Sequence, residues 1–468
     1  MRINRAGILT WAAGQKIKWM AGGLALLTLA FFFLSANFPL KGLAHAGEGD
    51  VWLLSALSAL LLAGFLLAVR RIDRDQPWPV LLFAALLVWV ALWIRLYAFD
   101  FSSPDYESFL APWVEKFRVY GPIKGFRQDF SDYNMPYLYI LSLISRFDCS
   151  DLYLIKIVSV AFDLLLAVAA ALCAGAHGGG RMTRLAAMAL ALLVPTVWLN
   201  SAMWGQCDSL YVSLLLLAYW AALSRKPGLS LCLAGLAFSF KLQTIFFLPV
   251  YALLWMTGRV KFRHFLLFPA TYAASIVPAL LFGKPLGDIL GVYVQQVDQY
   301  SGYLNLNSPS AFGLLPSGVD DAFFFRVGIL AAFTLVVSIL VYGWIRRKVL
   351  TGAQLLTLTY LLCAGIPFFL PSMHDRYFYL ADQTALLLAL TLPGLWPVAP
   401  LTVAASYAAY YAYLYRQYLV PGGMALPALL MLLALCTAAF GLKCRRETPK
   451  GDWRVFLESP DKETEKQT

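Results

Sequence analysis

The chain has 468 residues, of which 60% are hydrophobic and 13% charged, with a net charge of +11. A soluble domain averages about 45–50% apolar and about 25% charged residues, so a soluble globular enzyme is excluded. The Lys and Arg residues sit in small clusters between apolar runs, which excludes a basic nucleic-acid-binding domain and is the topology signal of a membrane protein.

The apolar runs are unbroken and rich in Leu and Ala, and most are about 15–25 residues long, enough or nearly enough to cross a hydrocarbon core about 30 Å thick as helices. Barrel strands would alternate polar with apolar residues, so the expected fold is all-α. The seven Cys lie mostly within apolar runs and form no CxxC motif, so they read as small buried hydrophobes.

In chain order, the basic N-terminus (Arg2, Arg5, Lys16, Lys18) predicts a cytoplasmic start and a retained first helix over 19–36. Helices over 52–69 and 78–97 follow, and the interval 98–150 then falls outside. Within it Tyr106, Phe109, Leu110, Trp113 and Phe117 recur at helical spacing, which predicts an interfacial helix divided at Pro112. Its basic residues Lys116, Arg118, Lys124 and Arg127 run against the positive-inside rule, and lipid phosphates are one expected partner for them. Further helices are predicted over 151–176, 185–203 and 208–224. The stretch 229–256 has basic loops on both sides and must cross twice, turning near Lys241 through two short helices. After 264–282 comes a second outer loop over 283–321, then helices over 322–345, 352–370, 376–394, 399–418 and 424–442. The expectation is a membrane-embedded domain over 1–446 with about twelve to fourteen crossings, and a charged cytoplasmic tail over 447–468.

This threading collects five polar groups on the outer face. They are Asp105-Tyr106-Glu107; the run from Arg127 to Tyr137, with Tyr133 and Asn134; Trp204-Gly205-Gln206-Cys207-Asp208; Lys241 with Gln243; and His374-Asp375-Arg376. Each has a bland alternative: a solvated acidic patch, a helix cap at Asp208, a snorkelling Lys241, an interfacial anchor at His374-Asp375-Arg376. Independent accidents should scatter over both faces, and these do not. The chemistry such residues support is sugar transfer from a lipid phosphate. A carboxylate takes the proton of an attacking hydroxyl, cations stabilise the departing phosphate, and Tyr, Trp, Asn and Gln hold the sugar. The chain has no P-loop and no Gly-rich dinucleotide motif.

Taken together, Asp105-Tyr106-Glu107, Asp132-Tyr133-Asn134-Met135-Pro136, Trp204-Gly205-Gln206-x-Asp208, Phe240-Lys241-x-Gln243 and Met373-His374-Asp375-Arg376-Tyr377-Phe378-Tyr379 resemble the GT-C superfamily of polyprenyl-phosphate-sugar-dependent glycosyltransferases. The likeness covers roughly 80–385 and is greatest to bacterial mannosyltransferases of the glycosylphosphatidylinositol-mannosyltransferase-like type. It extends more distantly to the dolichyl-phosphate-glucose-dependent glucosyltransferases. The resemblance implies a GT-C multi-helix bundle in the bacterial cytoplasmic membrane with its site facing outside. It implies an inverting hexosyltransferase acting on a glycan or lipid-linked acceptor, with mannose ahead of glucose as the sugar. Asp105 would be the catalytic base, with Glu107 as the second acid of the loop. Lys241, His374 and Arg376, joined by Arg127, would meet the donor phosphate. Trp204, Gln206, Asp208, Gln243, Tyr133 and Asn134 would shape the sugar or acceptor pocket. That motif commonly carries Glu where this chain has Asp375, which therefore receives no catalytic role. No metal is expected, although Asp105 and Glu107 are both carboxylates that a divalent ion could share. The competing readings are a lipid-linked glycan flippase or transporter and a membrane polysaccharide polymerase or ligase.

Overall fold

The computed structural model of the chain describes residues 43, 45–72, 78–299 and 302–443. The first helix expected over 19–36 and the tail over 447–468 lie outside these residues. The helices in chain order are α1 (Glu48–Ile72), α2 (Trp78–Tyr97), α3 (Ala111–Tyr120), α4 (Met135–Ile144), α5 (Asp151–Ala176), α6 (Arg181–Leu193), α7 (Pro195–Trp198), α8 (Asp208–Leu223) and α9 (Pro227–Phe240). They continue with α10 (Leu248–Met256), α11 (Leu267–Leu281), α12 (Leu286–Gln299), α13 (Asp321–Arg346), α14 (Gly352–Phe369), α15 (Tyr379–Thr391), α16 (Val398–Tyr415) and α17 (Ala425–Lys443). One two-residue parallel pair, β1 (Asn305–Leu306) with β2 (Met373–His374), is the only sheet among the described residues.

Among the described residues six helices are long and apolar enough to cross a membrane, and a bent pair, 48° at the break between Leu193 and Pro195, makes a seventh. This fits a polytopic helical membrane protein. The number is smaller than the expected twelve to fourteen in part because the helix expected over 19–36 lies outside the described residues, and in part because Leu82–Tyr97 of α2, α8, α9 and the 242–256 segment are each shorter than a full span. Polar motifs interrupt them near one end of the bundle. Long helices differ in position: α14 is 89% buried across its apolar window and runs through the centre, whereas α1 is 11% buried and α13 17%. The outer helices turn Leu60, Trp89, Leu330, Phe333 and Ile345 outward, an apolar exterior suited to lipid.

Buried polar contacts fix the helix ends near the polar motifs. Lys156 of α5, fully buried, donates to the carbonyls of Ala98, Phe99 and Phe101 at 3.1, 2.8 and 2.6 Å, satisfying the end of α2. Arg95 of α2 donates through Nε to Asp163 of α5 at 2.7 Å and through a terminal nitrogen to the Leu192 carbonyl of α6 at 2.9 Å. Asp163 also accepts from Ser201 at 2.5 Å. These two contacts set where the chain enters the 98–150 interval and where the bent span ends.

The 229–256 stretch turns as expected. α9 ends at Lys241, which is extended (φ −145°, ψ 137°), and a 3-10 turn Leu242–Phe247 leads into α10. Arg259 then returns to the Leu223 carbonyl at 3.5 Å, so both ends of the hairpin meet at the basic end and Lys241 lies at the far tip.

Candidate active site

Asp105 ends the short segment that leaves α2 and precedes a π-helical turn Tyr106–Leu110 continuing into α3. The Ser103 hydroxyl donates to the Trp204 carbonyl at 2.5 Å, which sets Asp105 beside the second motif. That motif forms where Pro195 breaks the span: a π-helical turn Leu199–Trp204 ends at Gly205 in the left-handed region (φ 78°), and α8 starts at Asp208. A side chain at Gly205 would strain this turn, because L residues rarely adopt that conformation.

The Asp105 carboxylate accepts from Trp204 Nε1 at 2.9 Å, Gln206 Nε2 at 2.5 Å, Arg376 at 3.4 Å and the Tyr413 hydroxyl. Burial pushes its pKa up, but the Arg376 charge and the donors Tyr413, Trp204 and Gln206 outweigh that and hold it below the ordinary carboxylate value. Gln206 Oε1 accepts from the Tyr133 hydroxyl at 2.9 Å and from Lys241 at 3.3 Å. Lys241 also bonds Asp208 at 2.6 Å, and Arg376 lies 3.8 Å from the other Asp208 oxygen. Asn200 donates to that same oxygen at 2.6 Å. Four motifs far apart in sequence therefore share one alternating network of Asp105, Arg376, Asp208 and Lys241.

These groups open onto a cleft of about 240 Å³. Its polar lining includes Asp105, Gln206, Lys241, Gln243, His374 and Arg376, and Trp113, Tyr133, Tyr377 and Tyr413 form aromatic walls. Pockets that enclose drug-sized ligands measure about 300–1,000 Å³, so a group enclosed here is small. His374 reaches the cleft because β2 pairs with β1, which couples the 302–320 loop to this motif. Burial and the Arg376 charge push its pKa down to about 3, so at neutral pH it is a neutral imidazole and not a cation. Burial lifts the Asp375 carboxyl to about 8, and Asp375 is absent from the cleft lining. A second, mainly apolar groove of about 250 Å³, lined by Leu242, Phe246, Ile329 and Leu370, adjoins the cleft and shares Gln243, Gln296 and Tyr377 with it.

Asp105, Lys241, His374, Arg376, Gln206, Gln243 and Tyr133 thus line one cleft, with Trp204 and Asp208 directly behind it. Asp208 is the first residue of α8 and makes no side-chain cap, so its carboxylate serves the network. Three expected site residues stand elsewhere. Glu107 is exposed on the π-helical turn, because that geometry sends it away from Asp105. Asn134 is buried as the cap of α4, accepting from the Met135 N–H at 2.7 Å and donating to the Tyr272 hydroxyl at 3.0 Å. Arg127 donates to the Phe282 carbonyl at 3.2 Å at the end of α11 and does not line the cleft. The basic residues of the 98–150 interval include structural ties, since Arg118 also makes a two-pronged pair with Asp151 at 2.5 and 2.6 Å.

Sequence reading missed Tyr413 and Asn200. Tyr413 bonds Asp105 and stacks on Trp204 with ring centroids 4.1 Å apart. A signal was present: Tyr407, Tyr410, Tyr411, Tyr413 and Tyr415 crowd one apolar helix. Among the described residues no three His, Cys, Asp or Glu gather as a metal site. No protein-family model matches this chain, and no curated protein or solved structure matches it either.

Proposed function

We propose that this chain is a GT-C-type glycosyltransferase that moves a hexose, mannose ahead of glucose, from a polyprenyl phosphate to a glycan or lipid-linked acceptor. The cleft would face outside the bacterial cytoplasmic membrane. The observation that carries the reading is the junction of a small polar cleft, lined by the Asp105 and Asp132 carboxylates and two cations, with an apolar groove. A lipid phosphate sugar needs this pairing. Its phosphate would meet Lys241 and Arg376, its hexose the aromatic and amide lining, and its hydrocarbon chain the groove.

The electrostatics give the reaction an order. Arg376 and three further hydrogen bonds, from Tyr413, Trp204 and Gln206, keep Asp105 a weak base. A donor phosphate that engages Arg376 and Lys241 draws positive charge away from Asp105 and raises its basicity. Asp105 then accepts the acceptor hydroxyl's proton as that oxygen attacks the anomeric carbon. The bond from the anomeric carbon to the phosphate oxygen breaks, and the polyprenyl phosphate leaves with the electron pair, stabilised by Arg376 and Lys241. The neutral His374 contributes a hydrogen bond to the phosphate or sugar, not a charge.

The test is reconstitution of the purified protein in liposomes with labelled polyprenyl-phosphate mannose or glucose and a lipid-linked acceptor. Labelled glycoside formed with one of these donors is the expected result. Movement of labelled lipid between leaflets with no glycosidic product would overturn the proposal in favour of a flippase.

A further inference from the structure

Three polar residues of the cleft lining take no part in the network around Asp105: Asp132, Gln296 and Gln299. Gln296 and Gln299 lie three apart on α12 and so share one face of that helix. The Gln296 amide donates to the Asp132 carbonyl, which fixes α12 against the loop that precedes α4. Exposure places this group at the mouth of the cleft. Gln299 is exposed and Asp132 and Gln296 are half-buried, whereas the side chains of Asp105 and Arg376 are only 16% and 15% exposed and that of Lys241 5%.

The Asp105 carboxylate is filled with donors, and the Asp132 carboxylate is not. Among the described residues no side chain donates to it and no cation pairs with it. Lys284 pairs instead with Asp129 at 2.9 Å, donates to the Gln128 carbonyl and lies 3.7 Å from Asp288. Lys241 and Arg376 are held by Asp208 and Asp105. Partial burial and the Asp129 charge push the Asp132 pKa up, so its ionised form gains from any donor that reaches it.

An ionised carboxylate only accepts, and its two oxygens suit two neighbouring hydroxyls. Gln296 and Gln299 offer both donors and acceptors beside it. Trp113, whose ring centroid lies 5.3 Å from that of Tyr133, lines the same cleft and presents an aromatic surface to the apolar side of a sugar ring. The surrounding charges select against ionised ligands: an anionic acceptor meets Asp132 at the mouth, and a cationic one meets Lys241 and Arg376 farther in. We propose that Asp132, with Gln296 and Gln299, binds the acceptor at the mouth of the cleft and selects an uncharged sugar end with neighbouring hydroxyls. This rests on the sugar-transfer reading for the reaction and adds the chemical class of the acceptor. Tyr133, next to Asp132, bonds Gln206, which bonds Asp105, so one chain of hydrogen bonds ties the acceptor end to the base.

The full-length protein in nanodiscs is given methyl mannoside, methyl glucoside or methyl glucuronoside, the last differing from the glucoside by a carboxylate. Binding is read by saturation-transfer NMR, and transfer from labelled polyprenyl-phosphate mannose or glucose by initial rates. The wild type should bind and use a neutral glycoside at least about tenfold better than the glucuronoside. Asp132→Asn should raise KM for the neutral acceptor about tenfold, leave KM for the donor within about twofold and narrow the preference over the glucuronoside; Asp132→Glu should recover part of the loss. Equal binding of neutral and anionic glycosides by the wild type, or binding of neither, overturns the proposal, and so does a folded Asp132→Asn protein with wild-type acceptor affinity. Neutral-sugar binding that depends on Asp132, with no transfer from either donor, would instead overturn the sugar-transfer reading and leave the sugar site standing.

Discussion

Replacing Asp105 with Asn separates its charge from its shape. Three donors point at one carboxylate oxygen: Trp204 at 2.9 Å, Gln206 at 2.5 Å and Arg376 at 3.4 Å. The Tyr413 hydroxyl points at the other. An Asn whose amide oxygen takes the first position keeps three of these bonds, and its NH2 meets the Tyr413 hydroxyl, which rotates to accept. What is lost is the negative charge and the proton-accepting oxygen. Arg376 retains Asp208 at 3.8 Å as a carboxylate neighbour, so it is not left uncompensated. The stability cost is therefore small, about 1–3 kcal/mol. Turnover should fall at least about 100-fold, the scale of general-base catalysis, or about 2.7 kcal/mol of barrier. The assay is initial-rate transfer in reconstituted liposomes with saturating donor, beside a thermal unfolding scan of each variant. A folded Asp105→Asn protein with near-normal turnover would refute the role of Asp105, and with it the proposed gain in Asp105 basicity on phosphate binding to Arg376.

Other perturbations separate the neighbouring residues. Glu107→Gln and Arg127→Gln should each keep turnover within about threefold of wild type, since neither residue lines the cleft; a loss beyond tenfold in either rate assay would restore it to the site. Tyr413→Phe removes one hydrogen bond to a charged acceptor and should cost about 1.5–3 kcal/mol in a denaturation experiment, with a measurable rise in the Asp105 pKa. Arg95→Leu strands the buried Asp163 and should destabilise by about 3–5 kcal/mol, most of which Arg95→Leu with Asp163→Leu recovers. The two anomalous groups beside Arg376 give opposite pH signs. The His374 pKa falls from 6.5 to about 3, so its contribution to stability is intact above 6.5 and is lost as pH drops toward 3. The Asp375 pKa rises from 3.8 to about 8, so its contribution is intact below 3.8 and is lost as pH climbs through 8. The unfolding temperature of Asp375→Asn relative to wild type should therefore increase steadily from pH 4 to pH 8, and a flat difference would contradict a buried, proton-binding Asp375.

Helices and the hairpin turn were legible because they follow from local physics. Long apolar runs such as those at Asp151–Ala176, Asp321–Arg346 and Gly352–Phe369 form helices wherever their neighbours lie, and basic loops on both sides of 229–256 force a return at Lys241. The polar motifs were also legible as motifs, since a Lys or Asp among apolar residues is costly unless it has a partner. What they did not contain was the pairing. Glu107 lies two residues from Asp105 and shares its charge, yet a π-helical turn faces it away. Asn134 sits inside a motif, yet its side chain caps a helix. Tyr413 lies 308 residues beyond Asp105 and bonds it directly. The sequence by itself determined an all-helical chain, its interruptions and the set of ionisable groups that must be buried. Only the tertiary structure decided which of them share a cleft, because a hydrogen bond reaches about 3 Å while the spacing of motifs along the chain carries no information about distance across a bundle.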